Sequence, residues 1–239
     1  MRKIIAIVIL VLTTVWATAQ PRLRQPEMYI GVHGGALFSM TLFTPTVPGT
    51  KQVLNTAMLS GQGGVIFRYA GHKCCGLQVE LNYMQRGWRE NTTAEDSLDV
   101  DVHYKRRLNY IEIPFLAHIF FGKKMVRGFL NVGPQIGYCF SESSSGTKHP
   151  NPVKQEQYKP LDNKFDWGLA GGLGMLVRTP KAGVFQLEAR FCYSFGDYFK
   201  NSKMDYFSKS NPICLSVNVG YLWEIKPKQK IKKTFQEGL

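Results

Sequence analysis

Apolar and polar residues alternate with a period of two along most of the chain, which predicts strands that each have one apolar face. From Gly76 to Trp88, apolar residues occupy the odd positions and mostly polar residues the even ones. The same alternation recurs in four further segments: Leu108 to Phe121, Arg127 to Phe140, Gly183 to Phe195 and Pro212 to Ile225. The alternation is less regular in three glycine-rich segments: Phe165 to Thr179, about Met28 to Leu42, and about Leu59 to Tyr69. The sequence therefore predicts eight strands.

The connections between these strands alternate in length. Short links fall near residues 70–75, 122–126 and 179–182, and long ones near residues 43–58, 89–107, 141–164 and 196–211. Outer-membrane barrels have short periplasmic turns and longer outer loops, with both termini on the periplasmic side. We therefore predict an all-β fold, an eight-stranded antiparallel up-and-down transmembrane β-barrel. It would lie in the outer membrane of a Gram-negative bacterium, with periplasmic termini.

A soluble barrel of lipocalin type would show the same alternation, because its apolar face turns inward around a ligand. The placement of lysine separates the two alternatives. A water-facing barrel exterior normally carries lysine, yet none falls inside the eight predicted strands. The lysine pattern favours the membrane barrel.

The N-terminus has the order of a secretory signal peptide. Arg2 and Lys3 precede an apolar run from Ile4 to Val15, and Ala17 and Ala19 supply the small residues of a cleavage site. The apolar run is shorter than the roughly 20 residues of a membrane-spanning helix. We predict a signal peptide at 1–19, a short segment at 20–27, the barrel at 28–225 and a basic periplasmic tail at 226–239.

The formal net charge of +13 would ordinarily suggest nucleic-acid binding. An exported chain does not meet nucleic acid, so we expect no such partner. Part of the charge lies in the tail, in Lys226, Lys228, Lys230, Lys232 and Lys233. These lysines are candidates for binding acidic partners or lipid head groups, the alternative being a solvated tail.

The polar face of the predicted strands carries charges of both signs: Arg68, Glu80, Arg86, Glu112, His118, Glu188 and Arg190. In a lumen only wide enough for side chains, such charges must pair or be hydrated. We interpret them as a structural polar core inside a filled barrel that acts as a scaffold and not as a pore. The alternatives are an ion path or the acid/base pair of a lipid hydrolase or acyltransferase. Since no Ser, His and acid trio has recognisable spacing, we expect no enzyme activity and no cofactor.

Cysteines matter in an exported protein because disulfides persist in oxidising compartments. Cys192 and Cys214 fall on the same inward face of neighbouring strands. We hypothesise a disulfide between them, the alternative being two small packed thiols. The cysteine spacing fits no zinc site, and we expect no bound metal.

The last predicted strand resembles the recognition signal for outer-membrane barrel insertion. Asn218, Gly220, Trp223 and Ile225 supply its polar, glycine and two hydrophobic positions. We therefore expect the barrel-insertion machinery to be one partner of the chain, beside outer-membrane lipids and lipopolysaccharide.

Several strand motifs together resemble the PorT-like family of Bacteroidetes outer-membrane β-barrels. The motifs are Gly31-Val32-His33-Gly34-Gly35, Asn109-Tyr110-Ile111-Glu112-Ile113-Pro114, Asn131-Val132-Gly133-Pro134-Gln135-Ile136-Gly137-Tyr138, Asp166-Trp167-Gly168-Leu169 and Leu187-Glu188-Ala189-Arg190-Phe191 with Tyr193-Ser194. The resemblance implies an accessory role in type IX protein secretion and, with it, other secretion-machine proteins as partners. The alternatives are a general structural or adhesive barrel and a lipid-modifying enzyme.

Overall fold

The chain forms long antiparallel strands, as the alternation predicts. The structure is a computed structural model that describes residues 26–46, 55–71, 74–92, 102–123, 125–148, 156–179, 182–200 and 207–225. The strands are β1 (Glu27–Pro45), β2 (Asn55–Thr56), β3 (Met58–Ala70), β4 (Cys75–Thr92), β5 (Val102–Lys123), β6 (Val126–Gly146), β7 (Phe165–Thr179), β8 (Gly183–Ser194) and β9 (Phe207–Ile225). The described residues also include a 3-10 helix, Glu156–Tyr158. Within these ranges no helix has the length and apolar character needed to cross a membrane.

Eight of the strands form a closed ring. Each long strand pairs antiparallel with the next along the chain, and β9 pairs back with β1 from Met28 opposite Ile225 to Pro45 opposite Phe207. The two-residue β2 adds only to the far end of β4. The ring confirms the predicted eight-stranded antiparallel up-and-down fold.

The two ends of the barrel differ in their connections. The connections 71–74, 124–125 and 180–182 lie at one end, here called the turn end, and the longer ones lie at the opposite loop end. The start of β1 and the end of β9 both lie at the turn end, because Glu27 is opposite Ala70 and Met28 is opposite Ile225.

Several strands are longer at the loop end than the sequence predicts. β5 begins at Val102 instead of Leu108, and β6 continues to Gly146 instead of Phe140. The extension of β6 is polar on both faces, and the extension of β5 has His103, Lys105 and Arg107 on its outer face. The apolar outer face that marks the other parts of the strands is therefore missing, although the ladder of hydrogen bonds continues. The strands as observed contain Lys105, Lys123 and Lys209. The prediction that the strands lack lysine therefore holds for the shorter ranges predicted from the sequence, and is wrong for the full strands.

The outer face of the ring is a continuous apolar surface. Side chains such as Leu81, Leu173 and Val219 are 49%, 64% and 61% exposed, while their neighbours along each strand are buried or half-buried. Soluble proteins rarely expose an apolar patch of more than a few hundred Å². An apolar belt around a whole barrel is the surface that a bilayer covers.

Aromatic residues gather at both edges of this apolar belt. The loop-end girdle consists of Tyr83, Tyr138, Phe140, Trp167, Tyr193 and Phe195, and the turn-end girdle of Tyr69, Phe121, Phe185, Tyr221 and Trp223. Phe185 and Tyr193 are eight residues apart on β8, or about 27 Å along a strand that rises about 3.4 Å per residue. A tilt of about 40° reduces this to a height of about 21 Å, near the roughly 25 Å apolar band of outer-membrane barrels.

Candidate functional site

The seven charged residues predicted to face the lumen are all buried. Their exposed fractions do not exceed 4%, and they occupy alternate positions on strands β3, β4, β5 and β8. The structure divides them between two separate clusters instead of one polar core. The central cluster contains Arg68, Glu80, His118, Glu188 and Arg190, and the upper cluster, nearer the loop end, contains Arg86 and Glu112.

Arg190 is the centre of the central cluster. Its two terminal nitrogens donate to the two oxygens of Glu80, each over 2.6 Å. Its Nε and Nη2 also donate to Glu188, over 3.0 and 2.9 Å. Since Arg190 lies on β8 and Glu80 on β4, this bidentate pair crosses the lumen and ties opposite walls together.

Amide and imidazole side chains complete the hydrogen bonding of this cluster. Asn82 donates to Glu80 over 2.8 Å, and Asn131 donates to Glu188 over 3.0 Å. Arg68 reaches the carboxylates indirectly, through hydrogen bonds to Gln78 and Gln186. The further amide and imidazole contacts are Gln78 to Glu80, Gln186 to Glu188, His33 to Asn82 and His118 to Asn131. Two arginines thus balance two carboxylates in a space from which bulk water is excluded.

The upper cluster is built around Arg86. Its guanidinium donates to Asp166 over 2.7 Å and to Glu112, and Ser194 donates to the same Asp166 oxygen over 2.6 Å. The guanidinium also lies 5.2 Å from the ring centroid of Tyr110. One cation therefore joins carboxylates from β5 and β7 to β4.

The turn end of the lumen is closed by a third set of ion pairs, here called the Glu27 group, and by a layer of apolar side chains. Glu27 accepts hydrogen bonds from Arg127 over 3.2 Å, Arg178 over 3.1 Å and the Tyr29 hydroxyl over 2.8 Å. Buried apolar side chains lie just above: Ile66, Ala70, Phe120, Phe129, Leu176, Val184 and Leu222. A cavity at this end, lined by Glu27, Arg68 and His118 among others, has room of about 20 Å³, which accommodates about one water molecule.

The loop end is closed by an aromatic cluster. Trp88 is fully buried, with ring centroids of Phe43, Tyr198 and Phe199 at 5.5, 6.0 and 6.5 Å. Tyr198 and Phe199 lie in residues 195–200, the described part of the connection between β8 and β9, and their side chains lie in the mouth of the barrel. Burial raises the pKa of Tyr198 well above its ordinary value, so its phenol stays neutral.

A second connection is fastened over the same mouth by Arg106. Its guanidinium donates to the carbonyls of Gln157 and Lys159 over 2.9 and 2.6 Å, and to Glu142 over 2.7 Å. The same guanidinium lies 5.5 Å from the Trp88 ring centroid. Segment 156–161 therefore packs on the aromatic cluster, and described side chains occupy the lumen at the turn end, at two levels within it and at the loop end.

This arrangement is suited to holding the walls of the barrel together. Glu80, Glu112 and Glu188 each form an ion pair with an arginine, so each of these carboxylates already has a cationic partner. Among the described residues no group of three or more His, Cys, Asp or Glu side chains could hold a metal ion. The expectations of no activity, cofactor or metal remain predictions.

Cys192 and Cys214 are direct partners across strands β8 and β9. Both are almost fully buried, and both are free thiols in this structure. Their disulfide stays a hypothesis. Peptide mapping without reductant would support it by finding the linked peptides, and would contradict it by finding both thiols alkylated.

The residues of the insertion motif divide between the two faces of β9. Asn218 faces the lumen, where Gln62 donates to it, and Gly35 directly opposite leaves the space that this amide occupies. Trp223 and Ile225 face outward, 49% and 41% exposed. The predicted signal peptide and the tail lysines Lys226, Lys228, Lys230, Lys232 and Lys233 lie outside the described residues.

The candidate residues taken from the sequence omit several polar residues of the lumen and its ends, among them Asp166, His33, Glu27 and Arg106. Asp166 and His33 occupy inward positions within the predicted ranges of β7 and β1, where the glycine-rich pattern weakens the alternation. Glu27 and Arg106 lie beyond the predicted strand ends. The inward parity of each strand, extended by a few residues for Glu27 and Arg106, would have found these four.

Taken together, a closed eight-stranded ring, a polar filled lumen, an apolar outer belt and two aromatic girdles define a transmembrane β-barrel of the outer-membrane class. The chain belongs to the family described as "Outer membrane protein beta-barrel domain", whose profile matches residues 19–200. It is accordingly an outer-membrane β-barrel protein of a Gram-negative bacterium.

Solved structures of small outer-membrane barrels are similar to this chain. The outer membrane protein OprG of Pseudomonas aeruginosa is 15% identical with a TM-score of 0.50, and the alignment covers 82% of this chain and 96% of OprG. Outer membrane protein W of E. coli is 15% identical, with 82% and 98% coverage and a TM-score of 0.41. The attachment invasion locus protein Ail of Yersinia pestis is 13% identical, with 82% and 99% coverage and a TM-score of 0.39. The likeness to OprG shows the fold alone, and no curated protein matches the sequence.

Proposed function

We propose that this protein is a non-enzymatic, non-conducting scaffold in the outer membrane, which acts on other proteins through its connections and its tail. The observation that carries the proposal is the filling of the lumen at four successive levels. The Glu27 group, the central cluster, the upper cluster and the aromatic cluster each join side chains from different walls. A barrel built in this way offers rigidity instead of a passage.

The proposed orientation places the turn end in the periplasm and the loop end outside the cell. Short connections are periplasmic in outer-membrane barrels, and here the ends of β1 and β9 share that end with them. An epitope tag after Leu239 tests the orientation. We expect the tag to bind antibody only after the outer membrane is permeabilised, whereas binding on intact cells would reverse the orientation.

The more specific proposal is an accessory role in type IX protein secretion, with other secretion-machine proteins as partners. It is supported by the resemblance of five strand motifs to PorT-like barrels. Inward residues of all five motifs lie in the lumen clusters: Glu112 and Asp166 bind Arg86, Glu188 binds Arg190 and Asn131, and His33 lies 3.6 Å from Glu80. These motif residues therefore also stabilise the barrel, whatever its function. The secretion role needs a test of its own.

A deletion strain supplies that test. Culture supernatant, periplasm and membrane lipids are compared between the parent, the deletion strain and strains complemented with the full chain or with a chain lacking residues 226–239. The proposal expects secreted proteins to accumulate in the periplasm of the deletion strain. Unchanged secretion would favour the structural or adhesive barrel, and a changed lipid profile would instead favour a lipid-modifying enzyme. Failure of only the tail-deleted chain to complement would assign the partner contact to the tail.

A further inference from the structure

Three cations gather on the outer wall of the barrel at the loop end. Arg89 on β4 is the direct cross-strand partner of Lys105 on β5, and Arg107 lies two residues further along β5 on the same face. Arg89 and Arg107 are close enough to Lys105 to repel its charge. These three residues are called the basic patch.

No described carboxylate neutralises the basic patch. The neighbouring carboxylates Glu90 and Glu142 serve other groups, because Trp88 and Tyr158 donate to Glu90 and Arg106 donates to Glu142. On the outward face around the patch, the described residues of β6 contribute only serines, Ser143 opposite Arg107 and Ser145 opposite Lys105. Three like charges held together without a counterion among the described residues favour the binding of an anion from outside.

The position of the patch relative to the apolar belt indicates what that anion is. Tyr83 and Ile111 are opposite each other at the edge of the belt, and Gln85 and Asn109 form an uncharged polar step above them. Arg107 follows four residues beyond Ile111, about 10 Å higher for a strand tilted about 40°, and the Arg89 and Lys105 pair lies about 16 Å higher. The polar headgroup layer of a bilayer is about 5 to 8 Å thick on each side, and long basic side chains can bend back toward it. The patch therefore lies just beyond the headgroup layer, with Arg107 nearest to it, and its side chains can reach down to headgroup phosphates.

The patch also borders a groove that can receive a headgroup. Arg89, His103, Lys105 and Ser145 line it, and Gly146 leaves one side of it without a side chain. Gly87, opposite Arg107, likewise presents no side chain that would cover the guanidinium. Arginine, lysine and serine are suited to phosphate oxygens, which accept several charge-assisted hydrogen bonds at once.

We infer that the basic patch is a binding site for the phosphate groups of lipopolysaccharide, the phosphorylated glycolipid of the outer leaflet. This inference rests on the proposed orientation, since it requires the loop end to face outside. A site on the outer wall would fix the height of the barrel in the membrane and surround it with a bound lipid.

Binding of lipopolysaccharide to the folded full chain in detergent micelles tests this inference. We compare the wild type with the triple variant Arg89→Gln/Lys105→Gln/Arg107→Gln. The matched control Lys159→Gln/Lys164→Gln/Lys209→Gln removes the same charge from three exposed lysines elsewhere near the loop end. Each cation near an anionic membrane surface contributes about a factor of five to binding, so we expect at least a tenfold higher Kd for the patch variant. The control should change by less than twofold.

Further ligands identify the group that is recognised. Lipopolysaccharide stripped of its phosphates should bind the wild type about as weakly as intact lipopolysaccharide binds the patch variant, whereas phosphatidylglycerol and inorganic phosphate should compete poorly. If the two triple variants bound lipopolysaccharide equally weakly, net charge alone would explain the effect and the inference would be wrong. It would also be wrong if the patch variant bound as tightly as the wild type. The single variant Lys105→Gln, for which we expect about a fivefold higher Kd, serves if the triple variant does not fold. A wrong orientation would appear separately, in the epitope-tag experiment.

Discussion

Replacing Arg190 by methionine tests whether the central cluster stabilises the barrel. The change preserves most of the side-chain volume but removes four hydrogen bonds to Glu80 and Glu188. Both carboxylate side chains have 0% exposure and would face each other without their shared cation. Breaking a buried ion pair by removing one partner costs about 3 to 5 kcal/mol. We expect a loss near the lower limit, about 3 kcal/mol, because Asn82 and Asn131 still donate to the two carboxylates.

The assay is equilibrium unfolding in guanidinium chloride, with the folded barrel in lipid vesicles and tryptophan fluorescence as the signal. The double variant Arg190→Met/Glu80→Gln restores charge balance with Arg68 and should recover at least half of the loss. Arg178→Met is the matched control, since Arg178 is 32% exposed and shares Glu27 with Arg127; its loss should stay below about 1 kcal/mol. Equal losses for Arg190→Met and Arg178→Met, or a double variant that is less stable than the single one, would refute the reasoning.

Three further changes probe the wall, the mouth and the backbone. Leu173→Arg on the outer face should cost about 2 to 4 kcal/mol of unfolding free energy in vesicles, while a water-facing wall would tolerate it. Trp88→Ala should loosen the aromatic cluster and make segment 195–200 more sensitive to added protease, with unchanged cleavage contradicting the plug. Gly87 has φ +152° and its Cβ would lie 1.9 Å from a carbonyl oxygen, so Gly87→Ala should cost about 1 to 3 kcal/mol. Gly61→Ala, with open space around its Cβ, should be neutral by the same unfolding assay.

The strands and their faces were predictable because the lipid-facing positions must be apolar while the lumen tolerates polar groups. Successive residues of a strand point alternately to the lipid and to the lumen. The sequence alone therefore showed which positions of a strand face inward. It placed Glu80, Glu188 and Arg190 on the inner face, where the structure has them. It did not show which cation binds which anion, because pairing across the lumen depends on the stagger between distant strands.

The ends of the barrel were less predictable, for a different physical reason. Beyond the membrane the outer face of a strand meets water and need not be apolar, so the apolar outer face ends before residues 102–107 and 141–146 although the strands continue. Tyr198 and Phe199 lie in an irregular segment, and nothing in its pattern indicates that it folds into the mouth. The aromatic cluster therefore emerged only from the three-dimensional arrangement.

Ion conductance of the purified barrel in planar bilayers tests the central claim most directly. The filled lumen predicts no conductance above that of the bare bilayer for the wild-type protein, at either sign of the applied voltage. Sustained channel openings of the wild-type protein would contradict the account, because ions would then pass where the structure places Arg190, Arg86 and Trp88 across the lumen.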